Sequence, residues 1–215
     1  MTRPLWMAAV TSIALLTGCA GQPAELHRYT LPDKGGLIRT NQAATHTLAV
    51  TPIQLASFLG SSGMVYQTSE IEVQQAQGHL WADDLSHQLE RQLRAELSRQ
   101  LSTYRVLPAG NHEDIDMKVA VSLEEFQGRY DGNAVIAGQY QLRDGRNRLL
   151  QAEPFRIERP LTEDGYPALV KALAEGWREA ADQMAQGVSQ YSGQTGESAV
   201  GDSSSGADID VNIDH

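Results

Sequence analysis

Leu16-Thr17-Gly18-Cys19 announces the one piece of covalent chemistry that this chain spells out. It reads as a lipobox, in which the cysteine thiol takes a diacylglyceryl group. Cleavage before Cys19 then frees an amine for a further acyl chain. Arg3 supplies a positive start, Leu5 to Leu16 an apolar run of twelve residues, and Thr17 and Gly18 the small residues a signal peptidase needs. The run is too short to span a bilayer, which takes about 20 apolar residues. Cys19 is the sole cysteine of the 215 residues, so the motif spends the only thiol there is. Each buried methylene contributes about 0.8 kcal/mol, and two or more acyl chains hold a protein stably at a membrane. Residue 20 is Ala rather than the Asp that retains lipoproteins at the inner membrane of Gram-negative cells. The expected location in such a cell is therefore the periplasmic face of the outer membrane.

Other residues that could do chemistry are not arranged for it. The six histidines, His27, His46, His79, His87, His112 and His215, form no i,i+4 pair of the metalloprotease kind. His112-Glu113-Asp114 is a polar cluster beside Gly110-Asn111 and reads as a loop. There is no G-x-S-x-G elbow, no S-x-x-K and no phosphate-binding glycine loop. Glu124-Glu125 and Asp83-Asp84 are neighbours in sequence, which points the two side chains apart. Asp208-x-Asp210-x-Asn212 begins like a calcium loop but lacks the glycine at position 6 and the acid at position 12. The sequence thus gives no catalytic residue, no metal site and no cofactor site.

Composition narrows the classes further. The chain loses its first 18 residues on processing, and with them one of 17 basic and none of 27 acidic side chains, so the mature protein is one unit more negative than the full chain's −10. Nucleic-acid binding needs clustered Lys and Arg and is excluded on this ground. With Cys19 acylated, no thiol remains for a disulfide or a thiolate zinc site.

Position along the chain sets out the elements. Residues 19–26 read as a lipidated tether, 27–191 as one domain, and 192–215 as a disordered acidic Gly/Ser tail with no Lys or Arg. His27 to Leu31 predicts a short strand. His46 to Ala56 predicts another, with Pro52 requiring an edge position or a bulge. Met64 to Gln67 and Glu70 to Gln75 form an extended pair, Ile71 and Val73 alternating with Glu70, Glu72 and Gln74. Trp81, Leu85, Leu89, Leu93, Leu97 and Leu101 recur every four residues and predict a helix over 80–101. Four residues turn about 400°, so this stripe winds around the helix and meets different partners at its two ends. Asp83 and Asp84 fall in its first turn, where acids suit the helix dipole. Tyr104 to Leu107 is a strand. A meander follows, with Ile115 to Leu123 alternating, turns at Asp131-Gly132 and Asp144-Gly145, and strands at Val135 to Leu142 and Leu149 to Glu158. A second helix over 166–190 carries a narrow apolar face: Tyr166, Leu169, Val170, Leu173, Trp177, Ala181, Met184 and Val188. Trp81 and Trp177 read as core anchors. The fold expected is α+β: a single domain with an antiparallel or mixed sheet and both amphipathic helices on one face.

Taken in order, several stretches resemble the ABC-type transport auxiliary lipoprotein family, which includes the paraquat-inducible protein C group. They are the lipobox, Tyr29-Thr30-Leu31, Val50-Thr51-Pro52-Ile53-Gln54-Leu55 with Phe58-Leu59, Met64-Val65-Tyr66-Gln67, Trp81-Ala82-Asp83, the meander and the helix with Trp177. Leu80 and Asp83-Asp84 depart from the Arg-Trp-Ala-Glu-Pro-Leu expected at the helix start, and Gln67 stands where Arg is common. The resemblance implies a role without catalysis: an outer-membrane lipoprotein accompanying a mammalian-cell-entry domain transport protein that carries lipid between membranes. Only Cys19 carries over as a site. A homo-oligomeric ring would suit a channel exit. Two other classes compete. One is an outer-membrane assembly or chaperone lipoprotein. The other is an envelope hydrolase acting through His112, Glu113 or Asp114.

Overall fold

The computed structural model describes residues 25–32, 44–110 and 114–200, the last nine by backbone alone. Cys19, the signal peptide, His112, Glu113 and the segment beyond residue 200 lie outside the described residues. The elements in order are β1 (His27–Tyr29), β2 (His46–Val50), β3 (Gln54–Leu55), β4 (Gly63–Gln67), β5 (Val73–Trp81), α1 (Leu85–Gln100), β6 (Tyr104–Pro108), β7 (Met117–Gly128), β8 (Asn133–Asp144), β9 (Leu149–Pro160) and α2 (Tyr166–Val200).

The frame is the meander β7–β8–β9, three antiparallel strands of 12 residues each. The other edge of β7 is lined in turn by β2, β3 and β4, all parallel to it. Beyond β2 lies β6, and beyond β4 lie β5 and then β1. The sheet is therefore mixed. Both helices cover it as expected, α2 over β8 and β9, and α1 over β6 and against α2.

Pro52 is accommodated by a bulge, since β2 lies between β6 and β7 and is no edge. Val50 faces Val119 and Gln54 faces Ser122, so four steps on one strand match three on the other. The extra residue lets a proline without an N–H sit where no ladder bond is asked of it. A second bulge lies in β7, where Leu123 faces Gly138 and Glu125 faces Ala137. It shifts the buried set from Met117, Val119, Val121 and Leu123 to Phe126. A Cβ on Gly138 would sit 2.2 Å from the Ser122 carbonyl oxygen. Gly138→Ala is therefore expected to force the central strand pair apart and lower stability by about 1–3 kcal/mol, the usual cost of overpacking. Chemical denaturation checks this, and an unchanged midpoint would refute it.

Several boundaries differ from the sequence expectation: the strand expected over His46 to Ala56 is split into β2 and β3, and the one expected over Glu70 to Gln75 runs from Val73 to Trp81. Leu80 and Trp81 end β5 rather than opening a helix, with the Trp81 N–H donating to Ser62 O at 2.7 Å. Trp81 matches the four-residue period only by coincidence. It is buried beside Phe126, the ring centres 6.1 Å apart. α1 starts after Asp84, whose carboxylate accepts the His87 N–H at 3.1 Å as an N-cap, so the two acids precede the first turn instead of filling it. α2 runs to Val200, past the expected end at Gln190. No proline follows Pro167 to stop it, and extending a formed helix is far easier than starting one.

Ile71 and Val73 do not face the core: Ile71 is 95% and Val73 43% exposed. The buried face of α2 is broader than the predicted stripe, with Ala168, Ala172, Ala174, Ala180 and Ala185 added. This helix packs on the sheet and on α1 together, and alanines fill the narrow flanks. The two ends of α1 meet different partners through their polar side chains. Near its start, Gln88 Oε1 accepts the buried Leu31 N–H at 2.9 Å, and at its end Gln100 Nε2 donates to Asp182 Oδ1 at 2.6 Å.

Candidate functional site: an aromatic groove at one end of the sheet

The register of β4, β5 and β7 brings two turns to one end of the molecule. Tyr66 faces Gln74 on one side and Gly128 on the other, so the β4–β5 turn and the β7–β8 turn lie together. The end of β9 and the start of α2 join them, with Leu161 N donating to Gly132 O at 2.9 Å. Between these pieces opens a groove of about 260 Å³, its walls drawn mainly from Tyr66, Gly128, Tyr130, Leu161, Tyr166 and Leu169. Its floor depends on backbone without side chain. A Cβ on Gly128 would already crowd Leu169 Cδ2 at 3.2 Å, and Gly165, with φ of +101°, turns the chain into α2.

A ladder of rings flanks the groove. Tyr66 meets Tyr166 edge to face at 6.3 Å, and His79 stacks on Tyr166 at 3.8 Å. His27 stacks on His79 in turn at 5.0 Å, and the hydroxyl of Tyr29 lies 2.9 Å from His79 Nδ1. Burial, reinforced by the nearby His27, holds the His79 imidazole below its usual pKa. Burial likewise pushes the Tyr166 hydroxyl up. His27 and His79 are 52 positions apart, and nothing in the sequence pairs them. The parallel register of β1 on β5 does.

The rim cation is already engaged. Arg129 donates from Nη1 and Nη2 to the two carboxylate oxygens of Glu158, both at 2.7 Å, and from Nε to Asp131 at 2.8 Å. Arg129 holds the Asp131 carboxyl down at about 2. A depressed carboxylate pKa adds stability above its unfolded value, near 3.9, that is lost as pH falls toward 2. Arg129→Gln should return the Asp131 titration toward about 3.9. Carboxyl NMR would show it, and an Asp131 still titrating near 2 would refute it. With its fork filled, Arg129 offers little to a phosphate. What the groove can do is grip an aliphatic or aromatic group by dispersion and ring-edge contacts.

A second cleft of about 500 Å³ runs between the helices, lined by Glu96, Arg99, Gln100, Arg159, Glu179 and Asp182. Its charges are paired, Arg159 of β9 with Glu179 of α2 and Arg99 with Glu96 along α1, and it reads as an ion-paired seam. Of the polar cluster His112-Glu113-Asp114, Asp114 is exposed, while His112 and Glu113 are not among the described residues. Trp177 and Trp81 are core residues, 0% and 4% exposed. The described residues contain no group of three or more His, Cys, Asp or Glu placed to share a metal ion.

Residues 29–185 match the family described as the ABC-type transport auxiliary lipoprotein component. The chain belongs to that family. It is a family of transport auxiliary lipoproteins, not of enzymes. Intermembrane transport lipoprotein PqiC of Escherichia coli K12 is 33% identical over 186 residues, which cover 85% of this chain and 96% of that protein. The same figures hold for PqiC of Shigella flexneri. Among solved structures, one described only as an uncharacterized protein is 32% identical with a TM-score of 0.67, covering 76% of this chain and 99% of its own. Protein XCC0632 from Xanthomonas campestris shares the fold at 18% identity, with a TM-score of 0.62 over 81% of this chain and 98% of its own. In this auxiliary lipoprotein the family match begins at Tyr29 in β1 and ends inside α2, so it spans the sheet and both helices.

Proposed function

We propose that this transport auxiliary lipoprotein is anchored through acylated Cys19 on the periplasmic face of the outer membrane. There it serves a mammalian-cell-entry domain transport protein that moves lipid between the two membranes, and so supports the integrity of the envelope. The observation that carries this reading is the kinship with intermembrane transport lipoprotein PqiC over 96% of that protein's length. The lipobox agrees with it. Residues 27–191 form the working domain, held near the membrane by a short tether. An open groove lined by rings, with its one cation already paired, suits a protein that binds rather than transforms.

Crosslinking and pull-down from intact envelopes test the reading, comparing the wild type with Cys19→Ala. Capture of a mammalian-cell-entry domain protein, falling when the anchor is lost, is the expected result. Capture of an outer-membrane barrel instead, or of nothing, would sink the transport reading and favour an assembly role.

A further inference from the structure

Ile71 is 95% exposed at the tip of the β4–β5 hairpin, the most exposed large apolar side chain among the described residues. Val73 beside it is 43% exposed, and Tyr130 on the neighbouring β7–β8 turn is 53% exposed. Both turns sit at the end where the aromatic groove opens, because Tyr66 pairs with Gln74 and with Gly128. Apolar side chains gathered at one protruding end mark a contact surface more than scattered ones do. What they contact follows from the direction of β1.

β1 runs parallel to β5, with His27 opposite His79 and Tyr29 opposite Trp81. Traced backward from His27, the chain therefore comes from the side of Val73, the hairpin-tip side. Glu25 still lies along this edge, its carbonyl oxygen 3.2 Å from where a Cβ on Gly78 would be. From Glu25 to Cys19 is six residues, a reach of at most about 21 Å. Gln77 lies four residues along β5 from Val73 and six from Ile71 in the turn, a separation of at most about 20 Å. A lipid on Cys19 can thus reach the level of the tip. Leu149, also 53% exposed, lies at the opposite end of the meander, where the β8–β9 turn closes.

We propose that the end bearing Ile71, Val73 and Tyr130 seats against the lipid surface that holds the Cys19 acyl chains, Ile71 entering the headgroup boundary. This rests on the reading of Cys19 as the anchor. Tyrosine favours that boundary, where its ring is half buried and its hydroxyl wet. So few apolar groups would not hold a free protein on a bilayer, but the tether keeps the tip at high local concentration. The tip also carries Glu70, Glu72 and Asp131, with Arg129 occupied by Asp131 and Glu158. Its contact is therefore apolar, and anionic lipid repels it. The seating turns the groove of Tyr66 and Tyr166 toward the lipid.

Because Cys19 is the sole cysteine and would be acylated, Ile71→Cys adds one free thiol to the full-length protein purified from membranes. It is labelled with an environment-sensitive fluorophore and placed in phosphatidylcholine vesicles bearing a shallow spin-labelled lipid. Leu149→Cys is the comparison site. A blue shift at position 71 and quenching several-fold greater than at 149 is the expected result. Adding phosphatidylglycerol should reduce it. Equal quenching at both sites in acylated protein overturns the seated tip and leaves the anchor standing. Stronger quenching with phosphatidylglycerol overturns the apolar contact. An intact mass without acyl chains overturns the anchor and the proposal with it.

Discussion

Replacing Leu93 by Asp should leave a chain with no cooperative thermal transition. Leu93 is 0% exposed at the middle of the leucine stripe on α1, inside the cluster shared by the sheet and α2. Truncating a buried leucine costs about 2–5 kcal/mol through lost transfer energy and an incompletely closed cavity. A carboxylate adds to this, because it must either be stripped of water without a partner or take up a proton in order to stay buried. The sum approaches the whole stability of an ordinary domain, about 5–15 kcal/mol. Gln186→Asp on the exposed side of α2 is the control, expected to move stability by no more than about 0.5 kcal/mol. A Leu93→Asp protein that melts sharply near the wild-type temperature would remove Leu93 from the core.

Trp177 supports the next largest expectation. It is 0% exposed, its indole N–H donates to the Leu89 carbonyl of α1 at 3.1 Å, and its ring centre lies 6.4 Å from that of Phe155 on β9. One side chain thus fastens both helices and the sheet. Trp177→Ala is expected to cost about 3–5 kcal/mol. Trp177→Phe keeps most of the apolar volume but leaves the indole's hydrogen bond unmade, which adds about 0.5–1.5 kcal/mol to a small packing loss. Urea denaturation separates the two substitutions. Equal losses from Phe and Ala would mean that the hydrogen bond, and not the packing, holds the helices.

Much of this was legible in the sequence because it depends on local pattern. The meander shows as alternation with turns at Asp131-Gly132 and Asp144-Gly145, and both helices show as apolar stripes. The misread places are those where a distant partner decides. The period of four reaches back to Trp81, but Phe126 and the Ser62 carbonyl keep that residue in a strand. The bulge at Glu124 is enforced by the approach of Ser122 to Gly138, on another strand. In the second turn the residue with positive φ is Asn147, while Gly145 is required because the Ile115 carbonyl comes within 2.1 Å of its missing Cβ. The groove was not legible at all. Its tyrosines, Tyr66, Tyr130 and Tyr166, come from three separate parts of the chain, and each looks ordinary among its neighbours. The alternation of Ile71 and Val73 with polar residues suggests a strand, but Ile71 lies in the turn before β5.

The way β2, β3 and β4 line one edge of β7 sets an order of events. β4 and β5 can close on each other as a local hairpin as soon as both exist. β2 and β3 have no such neighbour: their partners are β6 and β7, more than 50 residues further on. A chain emerging N-terminus first must carry β2 unpaired until Tyr104 to Pro108 has followed, and β3 until Ser122 and Leu123 of β7 have followed. The β7–β8–β9 meander, held by short-range contacts, is then the template on which the earlier half assembles. During that interval the apolar Leu48-Ala49-Val50 segment is open to wrong partners, and it stays safe only if the second half of the chain arrives soon after the first.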